Sequence, residues 1–535
     1  MKRRGPSRSL LLFSTLSLVS FAIACGGAKF NDPPGIAVAS VAPTSNPLVA
    51  QYSVTVALEC PGQVMVQFGP DTSYGRNTAW YPTTSNVRQT ATILVAGMKA
   101  STTYHMRAQA QAFCPGGTAT FTGPDTTFAT GPLPSSGFPT LTVTRPNPSA
   151  SSPENPGIEL MDLISPGDTL MQAFFTDRDG NPIWYYPLPA DSSPETIKFL
   201  PNGHLILNIV NGPDSLLREI DLAGNTIREM DISVLAQKMQ AAGFNFVPVN
   251  LHHDLLPLDN GHLILLANFP KTLTNIVGYP GNVTFIGDGV IDLDENWDPV
   301  WAWNSFDYLN PNRHLNGLPD WTHSNALVYS PVDGNLLISM RHQSWILKLE
   351  YLNGTGSGSV LWHLGYQGDF ALTVDGVPSA DPSEWFSYQH FPSIVSQNGA
   401  LTTLAVWDNG DNRVLNTAGL VCGLGSPDPA CFSRATVFQL DESNASALVA
   451  NLLWADPLSL FGIWGGSINQ LGNGNVEFDL NAPAVPPNPG VASQIQEVTQ
   501  TSTPQVVWQM QIGPVTQNAY RGYRVPSLYP GVTWP

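Results

Sequence analysis

From residue 157 onward, two markers recur along the chain in a constant order. The first is a tight turn followed by an apolar strand: Pro166-Gly167-Asp168-Thr169-Leu170, Asn202-Gly203-His204-Leu205, Asn260-Gly261-His262-Leu263, Asp333-Gly334-Asn335-Leu336, Asn398-Gly399-Ala400-Leu401 and Asn473-Gly474-Asn475-Val476. Asn-Gly and Asp-Gly favour two-residue hairpins because both central residues take positive φ. The second marker is an aliphatic residue before Trp: Ile183-Trp184, Val300-Trp301, Leu361-Trp362, Leu453-Trp454 and Val507-Trp508, with Ile227-Arg228 in that place in the remaining unit. Each unit holds one copy of each marker, and the spacing predicts four short strands per unit. Six such units predict a six-bladed β-propeller over residues 157–535, with the first strand of each blade on the central channel. Tyr520-Arg521-Gly522-Tyr523-Arg524-Val525 is predicted to close the ring. A set of β-sandwiches is the competing arrangement, and the constant order of the markers argues against it.

Upstream, short alternating segments at 51–58, 64–68, 90–95, 103–110 and 118–128 predict a β-sandwich over residues 35–130. Its 94–103 stretch, followed by Tyr104-His105-Met106-Arg107, resembles the tyrosine corner of fibronectin type III domains. Nothing in this segment marks a catalytic site. It reads as a spacer, docking or dimerisation module, which leaves a homodimer open. Residues 131–156 form a Pro/Ser-rich linker with one β-like run at Thr140 to Thr144. Asp231 to Gly243 is the one clear helical stretch.

Composition agrees with an all-β chain. Charged residues make up 12%, against 47 Gly, 47 Pro and 14 Trp, and turn formers with aromatics favour sheets. The net charge of −18 and the lack of a basic stripe argue against nucleic acid as a partner. An anionic substrate therefore needs a local positive pocket.

Residues 1–24 read as an export signal: Lys2-Arg3-Arg4, then an apolar run from Leu10 to Ile23. The ending Ala22-Ile23-Ala24-Cys25-Gly26 resembles a bacterial lipoprotein signal, with Cys25 lipidated; simple cleavage is the alternative, because Ile23 replaces the usual small residue. Residues 25–34 are a linker. The expected location is the periplasm or cell envelope, with a membrane contact through the N-terminal lipid. Four cysteines remain, and an even number in an exported chain suggests two disulfides. Proximity pairs Cys422 with Cys431, and Cys60 with Cys114.

The candidate chemistry gathers at one end of the inner strands. Asp320-Trp321-Thr322-His323-Ser324-Asn325 runs through the turn at Asp333-Gly334 to Ser339-Met340-Arg341. A tight hairpin brings its free ends together, so His323 and Arg341 should be neighbours. Aligning the blades backward from their turns places His252, His323 and His390 at equivalent positions, with Pro194 and Trp464 in that place in the second and sixth blades. A lone histidine at a strand start is usually a cap or a core residue; three in adjacent blades are harder to explain that way. The same register gives His253 either a supporting place behind the site or a structural one. His204 and His262 fall at the opposite rim, and His105, His314, His342 and His363 have no repeat partner. The predicted site is His252, His323, Arg341 and His390, with Asn325 and Arg413 nearby. Three histidines suit zinc or copper, but an arginine among them repels a metal ion. A sulfate or phosphate ester fits better, since arginine offers a planar fork to an oxyanion and a neutral imidazole can act as nucleophile or as acid and base.

These stretches resemble the bacterial arylsulfate sulfotransferase family, the type independent of phosphoadenosine phosphosulfate. The resemblance rests on Leu251-His252-His253-Asp254, Asp320 to Asn325, Ser339-Met340-Arg341, Gln389-His390, Asp408-Asn409-Gly410 with Arg413, and Ala519-Tyr520-Arg521. It covers roughly residues 140–530. It implies a six-bladed propeller behind a small β-domain and a ping-pong transfer of a sulfuryl group from a phenolic sulfate donor to a phenol acceptor, without cofactor or metal. It implies that His390 is the nucleophile and forms a sulfohistidine, that Arg341 and His323 hold the sulfuryl oxygens, and that His252, with His323, handles the phenol proton. The disulfide Cys422–Cys431 would brace a loop near the site. The alternatives are a non-enzymatic ligand-binding propeller lipoprotein and a metal-dependent hydrolase on a propeller.

Overall fold

The computed structural model describes residues 34–535, apart from 86, 149, 151, 165–172, 189–191, 212–213, 316–318, 417, 424–430, 482–492 and 514–517. The export signal, Cys25, most of the first linker and the turn at Pro166–Leu170 lie outside the described residues. The protein is all-β. Its longest helix, Ile232–Ala241, starts where Asp231 caps the Ser233 amide and buries Leu235 and Met239.

Near the N-terminus, Gly35–Pro43, Ala50–Leu58 and Val87–Val95 form a three-stranded antiparallel sheet. A second sheet is built on Gly62–Gly69 and Thr103–Cys114. Alternate residues of Thr103–Cys114 are buried, as period-two patterning requires. The Tyr104 hydroxyl accepts the Lys99 amide at 2.9 Å, and the disulfide Cys60–Cys114 ties the turn between Ala50–Leu58 and Gly62–Gly69 to the end of Thr103–Cys114. The C-terminal tail returns to this region. The Ala96 amide donates to the Tyr529 hydroxyl at 2.8 Å, and the Trp534 indole donates to the Asn77 carbonyl at 2.9 Å.

Six further sheets follow among the described residues. Four begin with the strands Ser192–Phe199, Asn250–Pro257, Ser324–Ser330 and His390–Asn398, and another with Ser467–Gln470. The remaining one starts with the C-terminal strand Asn518–Val525, paired antiparallel to Ile158–Ile164. From Ser192–Phe199 through Ser467–Gln470 to Asn518–Val525, the first strands of successive sheets pack against one another, and Ile158–Ile164 packs against Ser192–Phe199. Thr140–Thr144, within the Pro/Ser-rich segment, forms the outer edge of the last sheet by pairing with Val506–Gly513.

The aliphatic-Trp marker explains how the sheets are tied together. In each sheet that residue sits on the fourth strand and bonds the turn before the fourth strand of the following sheet. The Trp184 indole donates to the Leu222 carbonyl at 2.8 Å. Arg228, in the place of Trp, donates to the Glu295 carbonyl at 2.8 Å. Trp301 donates to Gly356, Trp362 to the Glu442 carboxylate and Trp454 to Thr501. Trp508, on the last sheet, donates to the Arg178 carbonyl of the first at 2.8 Å. The series of bonds returns to its start.

Candidate active site

The hairpin places His323 beside Arg341, whose amide donates to the His323 carbonyl at 3.1 Å. The Asn335–Met340 strand ends there in the short 3-10 turn Arg341–Gln343, which turns the arginine side chain sideways. Its Nη2 donates to the Ile463 carbonyl of the last sheet at 3.0 Å, and its Nη1 lies 2.7 Å from His342 Nε2. The guanidinium sits 4.7 Å from the Tyr388 ring centre. Its Nε is buried without a hydrogen-bond partner. Among the described residues, no carboxylate forms an ion pair with it.

His390 is buried, and both of its ring nitrogens are engaged. Nδ1 lies 2.7 Å from Asn409 Oδ1, and Nε2 accepts the Gly465 amide at 3.2 Å. The Asn409 amide nitrogen donates to the Gly462 and Gly465 carbonyls, so its oxygen must face the histidine. Nδ1 therefore carries the proton, and Nε2 keeps its lone pair. Burial, reinforced by the charge of Arg341, holds His390 well below the usual imidazole range.

The two adjacent histidines of the third sheet take different places. The register of Asn250–Pro257 breaks between Leu251 and Leu255, and His253 has φ 54°. The next inner strand breaks between Ser324 and Ala326, beside His323 at φ 47°. The break therefore sets His253 opposite His323, with ring centres 4.7 Å apart. His252 lies behind it, with Nδ1 2.9 Å from His253 Nδ1 and Nε2 3.2 Å from Asp288 Oδ1. Burial lowers the affinity of His252 for a proton, but the hydrogen bond and charge of Asp288 outweigh it, and its pKa is raised. Burial and the neighbouring histidines hold His253 well below the ordinary value. Of the pair, His252 therefore binds a proton more readily than His253.

Other groups converge here that the strand alignment does not single out. Asp320 Oδ2 accepts a short hydrogen bond from His323 Nδ1. His342 packs 4.5 Å from His323, ring centre to ring centre, and burial brings its pKa down to about 4. The Tyr520 ring lies 5.5 Å from His253 and 6.1 Å from His390, and its buried hydroxyl has no partner. The Glu195 carboxylate accepts the His253 amide at 3.1 Å. Both carboxylate oxygens of Asp411 are buried without hydrogen-bond partners, and burial pushes its pKa up to about 7. Asn325 is fully buried, and its amide bonds the Gln389 carbonyl at 2.7 Å, next to His390. Arg413 is also buried and bonds Asp408 at 2.7 Å, on the oxygen that also takes Arg434. That places it in a structural ion cluster. The disulfide Cys422–Cys431 is formed, and the Cys422 amide donates to the Arg413 carbonyl.

The family model for arylsulfotransferase (ASST) matches residues 147–524, a span that contains every group of this cluster.

The chain belongs to the arylsulfotransferase family.

No curated protein sequence matches the chain. Solved structures similar to this family member include a protein of unknown function from Bacteroides caccae, with 10% identity, a TM-score of 0.39, and coverage of 66% of this chain and 94% of that one. A protein from Lactobacillus plantarum has 9% identity and a TM-score of 0.34, covering 70% of this chain and 100% of that one. Likenesses of this size carry no functional information. For an arylsulfotransferase, phenolic substrates are the expected class, and a cationic group beside a neutral imidazole suits them.

Proposed function

We propose that the protein moves a sulfuryl group from a phenolic sulfate ester to a phenol by a ping-pong mechanism, through a sulfohistidine at His390 and without a nucleotide cofactor. The observation that carries this reading is the His390–Asn409–Gly465 arrangement. It supplies a neutral imidazole with its lone pair on Nε2, in the field of Arg341. Attack by Nε2 on the ester sulfur forms an N–S bond and breaks the S–O bond to the phenol, and the Gly465 amide gives up its weak contact as sulfur arrives. Arg341 and His323 hold the sulfuryl oxygens; charge stabilisation and alignment are most of what such a transfer asks of a protein. His252 delivers its proton through His253 to the departing phenolate and recovers one from the acceptor phenol, which then takes the sulfuryl group from His390. Asp288 keeps His252 protonated. Asn325 sets the backbone ahead of His390, and Arg413 with the Cys422–Cys431 disulfide steadies the loop behind it.

The cyclic series of bonds from Trp184 to Trp508 supports a closed six-bladed propeller over residues 157–535. The Tyr104 corner supports a fibronectin III-like sandwich over residues 35–130 as the preceding domain. An exported form held at the cell envelope through lipidated Cys25 completes the proposal, with the sandwich free to serve as a dimerisation surface.

The deciding experiment is intact-mass analysis after incubation with an aryl sulfate donor alone. A stoichiometric sulfuryl adduct on His390 is expected; an adduct elsewhere, or His390→Ala with wild-type turnover, would refute the mechanism.

A second reading rests on Asp320, His323 and His342, whose ligand-capable atoms lie within 4.8 Å of one another. A divalent ion there would make the protein a metal-dependent hydrolase. The Arg341 guanidinium, 2.7 Å from His342, opposes it by charge. Loss of turnover with a chelator, restored by metal, would favour this reading.

A further inference from the structure

The inner strands that begin at the histidines continue to a cavity of about 770 Å³. Lys198, Leu256, Leu327, Tyr329, Phe391 and Ile394 are among its lining residues, and they come from four different inner strands. A layer of aromatic and cationic groups separates this cavity from the histidine end. Phe391 stacks on Tyr523 with ring centres 5.7 Å apart, and the Arg521 guanidinium lies 4.8 Å from the Phe391 ring centre. The Lys198 ammonium rests on the cavity side, 4.8 Å from the Phe391 ring and 5.6 Å from the Tyr523 ring.

Lys198 is under-compensated. Its ion pair is with Asp254, at 3.4 Å. The same Asp254 oxygen already takes Arg521 Nη1 at 2.9 Å, and the other oxygen takes the Leu327 amide at 2.9 Å. One carboxylate thus serves two cations. Burial pushes the nearby Asp162 carboxyl up to about 7, so it offsets them only in part. An ammonium has three donors to place, and this one is 17% exposed and lines a cavity of mixed polar and apolar walls. Asp259 is the acidic residue lining the same cavity.

We propose that this cavity is a second binding site, for a small organic anion with one acid group on an apolar body, such as an aryl or alkyl carboxylate or sulfonate. The acid group meets Lys198, and the body lies against Leu256, Leu327 and Ile394. Concave apolar walls around a few fixed polar groups are the usual design of a small-molecule site. The inference does not depend on the transfer reaction, because none of its residues handles the sulfuryl group.

The probe is naphthalene-2-sulfonate, whose C–S bond prevents it from acting as a sulfuryl donor. It is titrated by calorimetry into the full chain. A binding event is expected that persists in Arg341→Ala and weakens at least tenfold in Lys198→Met; a further event at the histidine end, if seen, should be lost in Arg341→Ala. Asp254 keeps Arg521 in that variant, so the fold should survive, and a melting curve checks it. Ile394→Trp, which fills the cavity and leaves Lys198 in place, should weaken binding as much. No binding to the wild type at millimolar probe, unchanged affinity in both cavity variants, or loss of all binding in Arg341→Ala alone would each overturn the proposal.

Discussion

Asn409 presents its side-chain oxygen to His390: Oδ1 lies 2.7 Å from Nδ1, while the amide nitrogen donates to the Gly462 and Gly465 carbonyls at 2.8 and 3.1 Å. Two carbonyls on one side of an amide leave it a single useful orientation. That orientation decides which nitrogen of His390 keeps its lone pair. Replacing Asn409 with Leu should therefore lower kcat about 10- to 100-fold, as with other partners that hold a histidine tautomer, with a smaller change in KM. Steady-state kinetics with a chromogenic aryl sulfate would test this, and unchanged kcat would count against the tautomer role.

Because burial and Arg341 keep His390 well below the ordinary imidazole value, its nucleophilic form persists into mildly acid solution. The burst of phenol release in the donor half-reaction should stay level as pH falls through about 6.5, where an unperturbed imidazole would lose half its activity. Stopped-flow bursts across this range provide the check; a midpoint at the ordinary value would contradict the burial effect.

Asp288 raises the pKa of His252, and the acid form of His252 is the one needed to protonate a leaving phenolate. That form is lost as pH rises through the raised pKa. In Asp288→Asn the raising interaction disappears and the lowering effect of burial remains. The alkaline limb of kcat should then move to lower pH. The effect should fade for donors whose phenols leave without a proton, such as 4-nitrophenyl sulfate.

Trp508→Phe removes the indole N–H that reaches the Arg178 carbonyl across the junction of the last and first sheets. Trp508 is fully buried. The Arg178 carbonyl keeps the Arg145 Nη2 donor at 3.2 Å, so the loss should be that of one net hydrogen bond, about 0.5–1.5 kcal/mol, read as a lower urea midpoint. Trp454→Phe, at a half-buried site, should cost less. Equal effects would mean that the bonds do not act through burial.

Part of the candidate site is legible in the sequence, because a hairpin converts spacing into proximity. His323 and Arg341 fall together for that reason. Asp288, Glu195 and Gly465 were not readable as site groups; they come from different sheets, and no local pattern marks them. Asp320 and Tyr520 lie inside the motifs that carry the resemblance, but no role could be read for them there. His342 follows Arg341 directly, but it has no counterpart in the other units and only the 3-10 turn folds it under His323. Arg413 was expected near the substrate, and the structure commits it instead to Asp408. Nothing in the stretch 408–413 announces that pairing.

The sequence by itself determined the all-β class, the order of the strands, the two cysteine pairs and the family, since these follow from period-two patterning, turn chemistry and short-range motifs. Only the tertiary structure decided which of two adjacent histidines meets His323. In a strand, neighbouring side chains point to opposite faces, so a single irregular residue exchanges them. The left-handed residue at His253 makes that exchange, and no alignment by residue count can register it.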